Sequence, residues 1–428
     1  MTNNVGRVVV VGAGMSGLAA ARALHDAGVE VVVVEGRDRI GGRTHTVDVG
    51  GVPVDLGGSW IHDGAGSPML PFVESLGIER LPATASSIVL AATVVDRTEG
   101  ARGEQAQLEL AAAMAWFVLA GADRSAVPPG STLAEGMAVL LPQVDPRARH
   151  SLELLLAMYD GAEAGEVGFD TFADAFFGPS EGKDTDVLPQ GGYRRVVDAL
   201  ADGLDVRLGA AVSRVEQDGA GVTVHTSAGT FTGTHAVVTV PLGVLKAGSV
   251  AFEPPLPAGH VEAIERLGFG VFEKVALEYD EKAWPGHLTV VDGASPEWPV
   301  VLDMSLWYGK PVVVGMAVGD GARALAAMSE AEKVDALHRV VAAVGGPGTP
   351  APRSHAVTSW THDPFLLGCY TNVAPTSTAA QQRADVATLA TPHERVLFAG
   401  EHTDPAGTST VDSAWRTGHR EAARLLGG

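Results

Sequence analysis

The stretch Arg7-Val8-Val9-Val10-Val11-Gly12-Ala13-Gly14-Met15-Ser16-Gly17 runs into an Ala/Leu-rich segment ending near Ala27, then into Val29 to Val34 and Glu35. Unbroken valine runs are what a parallel strand buried on both faces requires, and the Ala-rich segment between them has helical composition, so the unit reads as β-α-β. Its first turn carries Gly12-x-Gly14-x-x-Gly17. Glycines there allow a tight turn, let the backbone approach a pyrophosphate, and let helix and strand pack closely. The helix that follows would offer free N–H groups and the positive end of its dipole to phosphates. Glu35, eighteen residues after Gly17 at the end of the second strand, is placed to accept hydrogen bonds from a ribose. The unit predicts a dinucleotide site and, at this point, leaves NAD and FAD equally open.

Around this unit, the chain has 428 residues, enough for two or three domains at about 150 residues each. Its 46% apolar content argues for a packed core rather than disorder. The one cysteine, Cys369, excludes an internal disulfide and a cysteine-ligated zinc cluster, and no metal site is expected. Asp and Glu number 51 against 30 Lys and Arg, a formal net charge of -21. Such an excess disfavours nucleic-acid phosphates and anionic membranes as partners, and concentrates cationic ligands if the acid surrounds a cleft. No apolar stretch reaches the roughly 18 residues of a membrane span, and Met1 to Val5 lacks the basic-then-apolar pattern of a secretory leader. A cytoplasmic protein is the expectation.

Strand-like patterns return at Val206 to Val215, Val222 to Thr226, Ala236 to Val240 and Val396 to Gly400, and a closing helix is predicted from about Val411 to Leu426. Residues 100–185 read as largely helical, with runs at Leu108 to Ala120, Leu133 to Leu141 and Ala148 to Tyr159. Residues 272–340 mix strands with a helical run from Glu330 to Val344. The fold class is α/β. The expected division is a Rossmann-like dinucleotide domain, discontinuous in sequence (1–82, 186–246 and 385–428), with an inserted α+β substrate domain (83–185 and 247–384).

After the second strand comes Gly36-Arg37-Asp38-Arg39-Ile40-Gly41-Gly42-Arg43. Arginine suits a pyrophosphate because its planar fork donates two parallel hydrogen bonds. With this segment the chain resembles the flavin amine oxidase family of monoamine oxidases, polyamine oxidases and flavin-dependent histone demethylases. The resemblance runs through nearly the whole chain by motifs in the family's order. Leu56-Gly57-Gly58-Ser59-Trp60-Ile61-His62 is followed by Leu188-Pro189-Gln190-Gly191-Gly192-Tyr193 and Val238-Thr239-Val240-Pro241-Leu242-Gly243. Then come Gly268-Phe269-Gly270 with Lys274, Trp360 with Asp363-Pro364, and Phe398-Ala399-Gly400-Glu401-His402-Thr403.

The resemblance implies FAD as cofactor. It implies contacts from Ser16, Glu35, Arg37, Arg43, Ser59, Trp60, Val212, Trp360, Glu401, Thr410 and Val411, in addition to Gly12, Gly14 and Gly17. It makes Lys274 the lysine that holds a water near flavin N5, and Tyr370 one aromatic wall of the substrate cage. Where monoamine oxidases have the second tyrosine this chain has Thr410, which looks like the polyamine oxidases and leaves a wider opening. His62 likewise matches a polyamine oxidase histidine near the substrate nitrogen. Cys369, directly before Tyr370, occupies the place of the cysteine that joins flavin by a thioether in monoamine oxidases, where polyamine oxidases commonly have serine. Both a thioether and a free thiol stay open.

The function expected is oxidation of an amine, a polyamine or diamine, to an imine and aldehyde, with dioxygen as acceptor and hydrogen peroxide as product. Within enzymes the alternatives are a monoamine oxidase proper and an L-amino acid oxidase, although no arginine is assigned by motif to clamp a carboxylate. A catalytically silent flavin-binding protein is disfavoured by Lys274 and Tyr370, and an NAD-dependent reductase by the Arg-Ile-Gly-Gly-Arg segment. At this length the extra domain and insertion of histone demethylases are missing, so a chromatin role is not expected.

Overall fold

The structure, a computed structural model, describes residues 5–62, 66–83, 92–96, 100–101, 104–121, 123–177, 186–284, 289–292, 298, 300–375 and 377–427. The predicted unit is present as β1 (Val8–Val11), α1 (Met15–Asp26) and β2 (Val31–Val34). β3 (Asp205–Arg207), β4 (His235–Val238) and β5 (Val396–Phe398) complete a sheet in the order β5-β4-β1-β2-β3, all pairs parallel. Both faces are covered, which explains the valine runs. Val8, Val10 and Val33 pack against α1 and the closing helix α2 (Val411–Leu426), while Val9, Val11, Val32 and Val34 pack against Val215, Val222 and Val224.

One strand expectation needs correcting. Val206 to Val215 is not a single strand: Asp205–Arg207 belongs to the parallel sheet and Val212–Gln217 to a separate four-stranded sheet with Val222–Thr226, Gly229–Gly233 and Ala251–Glu253. The break is at Gly209, whose φ of 67° turns the chain. The turn is pinned by the Gly209 N–H on the Arg37 carbonyl and the Ala210 N–H on the Glu35 carbonyl, each 2.8 Å. That pinning delivers Val212 to the dinucleotide side of the sheet.

The helical expectations hold with small shifts at the ends. Helices run Glu104–Ala120, Leu133–Leu140, Pro146–Ala157 and Glu330–Gly345, and a further helix spans Phe169–Phe177. Their starts are set by capping chemistry: Thr132 with Glu135, and Ser329 with Glu332, form reciprocal capping boxes, and Asp145 caps the helix at Pro146. A seven-stranded sheet lies beside them, with Phe272–Glu278 between Ser354–Val357 and Val312–Val318. One face of it packs Val275, Leu277 and Val313 against Leu337 and Val340 of the Glu330–Gly345 helix. The other face turns Val300, Leu302 and Met316 toward Val49–Leu56 and the central cavity. No helix among the described residues is long and apolar enough to cross a membrane.

α1 and α2 cross where Gly418 meets Ser16. A Cβ on Gly418 would lie 2.3 Å from the Ser16 carbonyl oxygen, a backbone atom that has no room to retreat. Gly418→Ala is therefore expected to cost about 1–3 kcal/mol through overpacking. It should lower the urea midpoint of unfolding, and an unchanged midpoint would show that the crossing tolerates a methyl group.

Candidate active site

A cavity of about 1490 Å³ extends from the amino end of α1 to the seven-stranded sheet. At the α1 end Gly12 has φ 102°, and a Cβ on Gly17 would lie 1.9 Å from the Gly12 carbonyl oxygen, so α1 must begin directly on the tip of β1. Gly17 is thus a packing residue and does not line the cavity, whereas Gly12, Gly14 and Ser16 do. A Cβ on Gly14 would meet nothing nearer than 3.9 Å. The helix start there has no side-chain cap and no acidic residue in its first turn, which leaves N–H groups and the positive end of the dipole facing open space. Ser16 Oγ shares a hydrogen bond with Thr417 Oγ1, 3.2 Å.

Glu35 is buried and accepts the N–H of Ala13 at 2.8 Å and of Arg37 at 2.9 Å, which locks the glycine turn to the end of β2. Arg37 pairs with Asp363 at 2.6 Å and lies 5.5 Å from the Phe365 ring. Its Nη2 is buried without a partner. An uncapped helix end, a glycine left open toward the cavity and an unpartnered guanidinium N–H all call for an anion between them.

Arg43 lies further along the cavity wall. Its Nη1 donates to Glu401 Oε1 at 2.8 Å and to the Cys369 carbonyl at 2.7 Å. Glu401 also accepts the Ser409 N–H at 2.9 Å and the Thr371 hydroxyl at 3.2 Å. Burial works against its charge, but Arg43, His402 and these donors outweigh it and hold the carboxyl below its ordinary range. Val212 and Trp360 line the same stretch, and a Cβ on Gly57 would strike the Trp360 ring at 2.5 Å. Thr410 caps α2 by accepting the Ser413 N–H at 3.0 Å, so Val411 and the first turn of α2 face the cavity.

At the sheet end, the Lys274 ammonium is buried 5.6 Å from the rings of both Trp60 and Phe272. Burial lowers its pKa, opposed by the Asp55 charge. Its Nζ donates to the carbonyls of Asp55 at 3.1 Å and Gly57 at 2.7 Å and to Ser59 Oγ at 2.8 Å. An ammonium has three protons, so in this arrangement the protein takes all of them and a bound water would have to accept one in place of a protein oxygen. Tyr370 lies 6.2 Å from Phe272 and donates its hydroxyl to the Met158 carbonyl at 2.5 Å. His62, at the wall, is 2.8 Å from Asp186 through Nδ1. Burial disfavours the imidazolium, but the hydrogen bond and charge of Asp186, with Asp412, raise its pKa overall.

The flavin-containing amine oxidoreductase model matches residues 15–174 and 134–426. The chain belongs to the flavin-containing amine oxidoreductases. This amine oxidase uses FAD, which the residues just described fit: its diphosphate calls for the anion-binding elements at the α1 end, and the cavity continues to Lys274 and Tyr370. Among similar proteins, Polyamine oxidase 3 of Oryza sativa subsp. japonica is 33% identical over 96% of this chain and 87% of its own length. Polyamine oxidase 2 of Arabidopsis thaliana is 30% identical over 96% and 86%. Lysine-specific histone demethylase 1 homolog 1 of Oryza sativa subsp. japonica is 32% identical over 98% of the amine oxidase chain but 52% of its own, so the chain spans about half of that relative.

Several residues of the site lay outside the sequence reading. Asp55, buried behind Lys274, accepts hydrogen bonds from Thr46 and from the Tyr193 N–H at 3.1 Å. Glu273, on the opposite face of the strand from Lys274, accepts the Thr361 N–H at 3.0 Å and the Thr358 hydroxyl. An acid directly before Lys274 in a strand whose other inner residues are Phe272, Val275, Ala276 and Leu277 was the available signal, since alternation must bury one of the two.

His402 of the Gly-Glu-His motif is fully buried, and burial pushes its imidazole down to about 4. The unfolded chain takes up this proton near pH 6.5 and the folded one only near 4, so the unfolded state binds more protons in between and stability is lost as the pH is lowered across that window. The loss attributable to His402 amounts to about 3 kcal/mol at pH 4. His402→Gln should reduce the difference between urea unfolding free energies at pH 7 and pH 4.5, and parallel pH profiles for the two proteins would contradict it.

Proposed function

We propose that this enzyme oxidises polyamines or diamines to an imine, which hydrolyses to an aldehyde, with dioxygen reduced to hydrogen peroxide. The observation that carries this reading is that one cavity contains Lys274, the Tyr370 wall, Thr410 and the His62–Asp186 pair. The polyamine oxidase names of the relatives from rice and Arabidopsis support the same class. In this reading residues 1–82, 186–246 and 385–428 hold FAD, and 83–185 and 247–384 shape the substrate side. A cytoplasmic location goes with it.

Bound FAD supplies the electron acceptor for the amine α-carbon and passes the electrons to dioxygen. The protein's share is position and dryness. Tyr370 forms a wall that cannot rotate away while its hydroxyl is held by Met158. Trp60, Phe272, Leu302 and Met316 exclude water around the reacting carbon. Lys274 holds the Gly57-Gly58-Ser59 turn by its three donors and sets a positive charge beside the site that favours electron transfer to dioxygen. The amine must be neutral at the nitrogen that reacts, and Lys274 cannot neutralise it while charged, so the reacting nitrogen loses its proton before or on binding. Glu35, Arg37, Arg43, Glu401 and the α1 end serve as the cofactor cradle.

The thiol of Cys369 is fully buried, and burial pushes its pKa well above the ordinary range. A thioether to flavin requires a thiolate, and burial works against one at Cys369, which supports FAD held without a covalent bond. Acid precipitation should leave yellow flavin in the supernatant, whereas flavin retained in the pellet would establish the thioether.

Putrescine, spermidine and spermine should release peroxide well above benzylamine and tyramine. Preferred turnover of the aromatic monoamines would refute the substrate class. Lys274→Met should slow flavin reoxidation by dioxygen at least about tenfold, a modest share of what a positioned charge contributes, as followed by stopped-flow absorbance. An unchanged reoxidation rate would restrict Lys274 to holding the turn.

A further inference from the structure

A second, smaller cavity of about 30 Å³ also borders Lys274. It shares Ser59, Trp60, Lys274, Leu302 and Met316 with the large cavity, so these residues form the partition between the two. On the other side of this partition Val54, Leu188, Met304 and Val314 make apolar walls, all of them buried. The outer end is formed by Pro53, Trp307 and Tyr308, which are half-buried. Trp307 and Tyr308 belong to the short helical turn Ser305–Tyr308, between the strands Val300–Asp303 and Val312–Val318. The small cavity thus joins the protein's outer layer to the Lys274 ammonium without using the amine side.

At its inner end the polar groups have no proton left for a guest. Lys274 gives its three to the carbonyls of Asp55 and Gly57 and to Ser59 Oγ. Ser59 Oγ turns its own to the same two carbonyls, at 3.2 and 3.1 Å. The Asp55 carboxyl is engaged by the Thr46 hydroxyl and the Tyr193 N–H. A buried water needs two or more polar partners, whereas a cavity with apolar walls stays dry and takes up apolar guests. Dioxygen is small, uncharged and nonpolar, and it is the acceptor in the reading above. When an amine fills the large cavity, the front of the site is occupied by the substrate itself. A passage behind the partition brings dioxygen to the buried ammonium, a charge that favours its reduction, while the imine is still in place.

We propose that the small cavity behind Lys274 is a dioxygen site, through which the oxidant arrives separately from the amine. The inference rests on the oxidase reading above. It is tested first in crystals of the FAD-loaded protein pressurised with xenon, an apolar atom that settles in dry cavities of this kind. A xenon atom is expected in the space lined by Val54 and Val314, and its absence there, with or without an ordered water, overturns the assignment. The second test is stopped-flow reoxidation, at several dioxygen concentrations, of dithionite-reduced protein in unsubstituted form and as Val54→Ile and Val314→Ile. Each substitution adds one methylene and keeps a β-branched residue in its strand, and neither residue lines the large cavity. Flavin absorbance per chain and the rate of anaerobic flavin reduction by spermidine should therefore stay unchanged. Dioxygen could then enter only by overpacking the core, so the second-order rate constant for reoxidation should fall about fivefold or more. An unchanged constant in both variants, or equal falls in reduction and reoxidation, overturns the assignment alone. An unsubstituted reduced protein that dioxygen does not reoxidise overturns the oxidase reading and the assignment together.

Discussion

The buried contact between Arg43 and Glu401 joins parts of the chain 358 residues apart. Arg43 ends the segment that follows the β-α-β unit, and Glu401 follows β5 at the far edge of the same sheet. The carbonyl of Cys369, held by the same Arg43 nitrogen, ties in the strand that carries Tyr370. One guanidinium thus sets the distance between the dinucleotide turn, the C-terminal motif and the substrate wall. Removing either partner of such a pair leaves an unpaired charge in a dry site, a loss of about 3–5 kcal/mol. The contact persists because Glu401 has further donors in Ser409 and Thr371, so its remaining lone pairs are satisfied.

The cavity depends on this arrangement because its two ends belong to different sheets. The parallel sheet supplies an open helix end and glycine backbone, the elements that receive an anion. The seven-stranded sheet supplies Lys274 and an apolar floor of Val300, Leu302 and Met316. The strand from Phe272 to Glu278 separates two buried charges by alternation: Glu273 faces Thr358 and Thr361, and Lys274 faces Asp55, Gly57 and Ser59. Each charge finds its own hydrogen-bond partners on its own side. The result is a buried ammonium next to the Trp60 and Phe272 rings, with the Asp55 charge opposing the effect of burial on it.

The net charge of -21 takes on a narrower meaning in this setting. Most acidic groups near the cavity are engaged in structural contacts, and a general excess of acid attracts cations over a distance set by salt screening, about 10 Å at 0.1 M.

Local periodicity and turn chemistry were sufficient for the β-α-β unit, the glycine turn and the closing helix Val411–Leu426, because valine runs, glycine spacing and an N-cap threonine act over a few residues. The ordered motifs likewise led to residues that meet in one cavity, with Gly17 as the exception, since a helix position that touches its own strand cannot also face a ligand. The division of Val206 to Val215 between two sheets was not legible, because the alternation is compatible with either and the decision falls to Gly209 and the carbonyls of Glu35 and Arg37. The partners of buried charges were not legible either. That Lys274 spends its protons on the carbonyls of Asp55 and Gly57 and on the Ser59 hydroxyl, and that the Cys369 thiol is enclosed, are consequences of long-range packing. By itself the sequence determined the cofactor fold and many of the groups that line the cavity; the tertiary structure alone decided which of those groups are satisfied and which are available, because desolvation and hydrogen-bond partners arise only when distant segments are brought together.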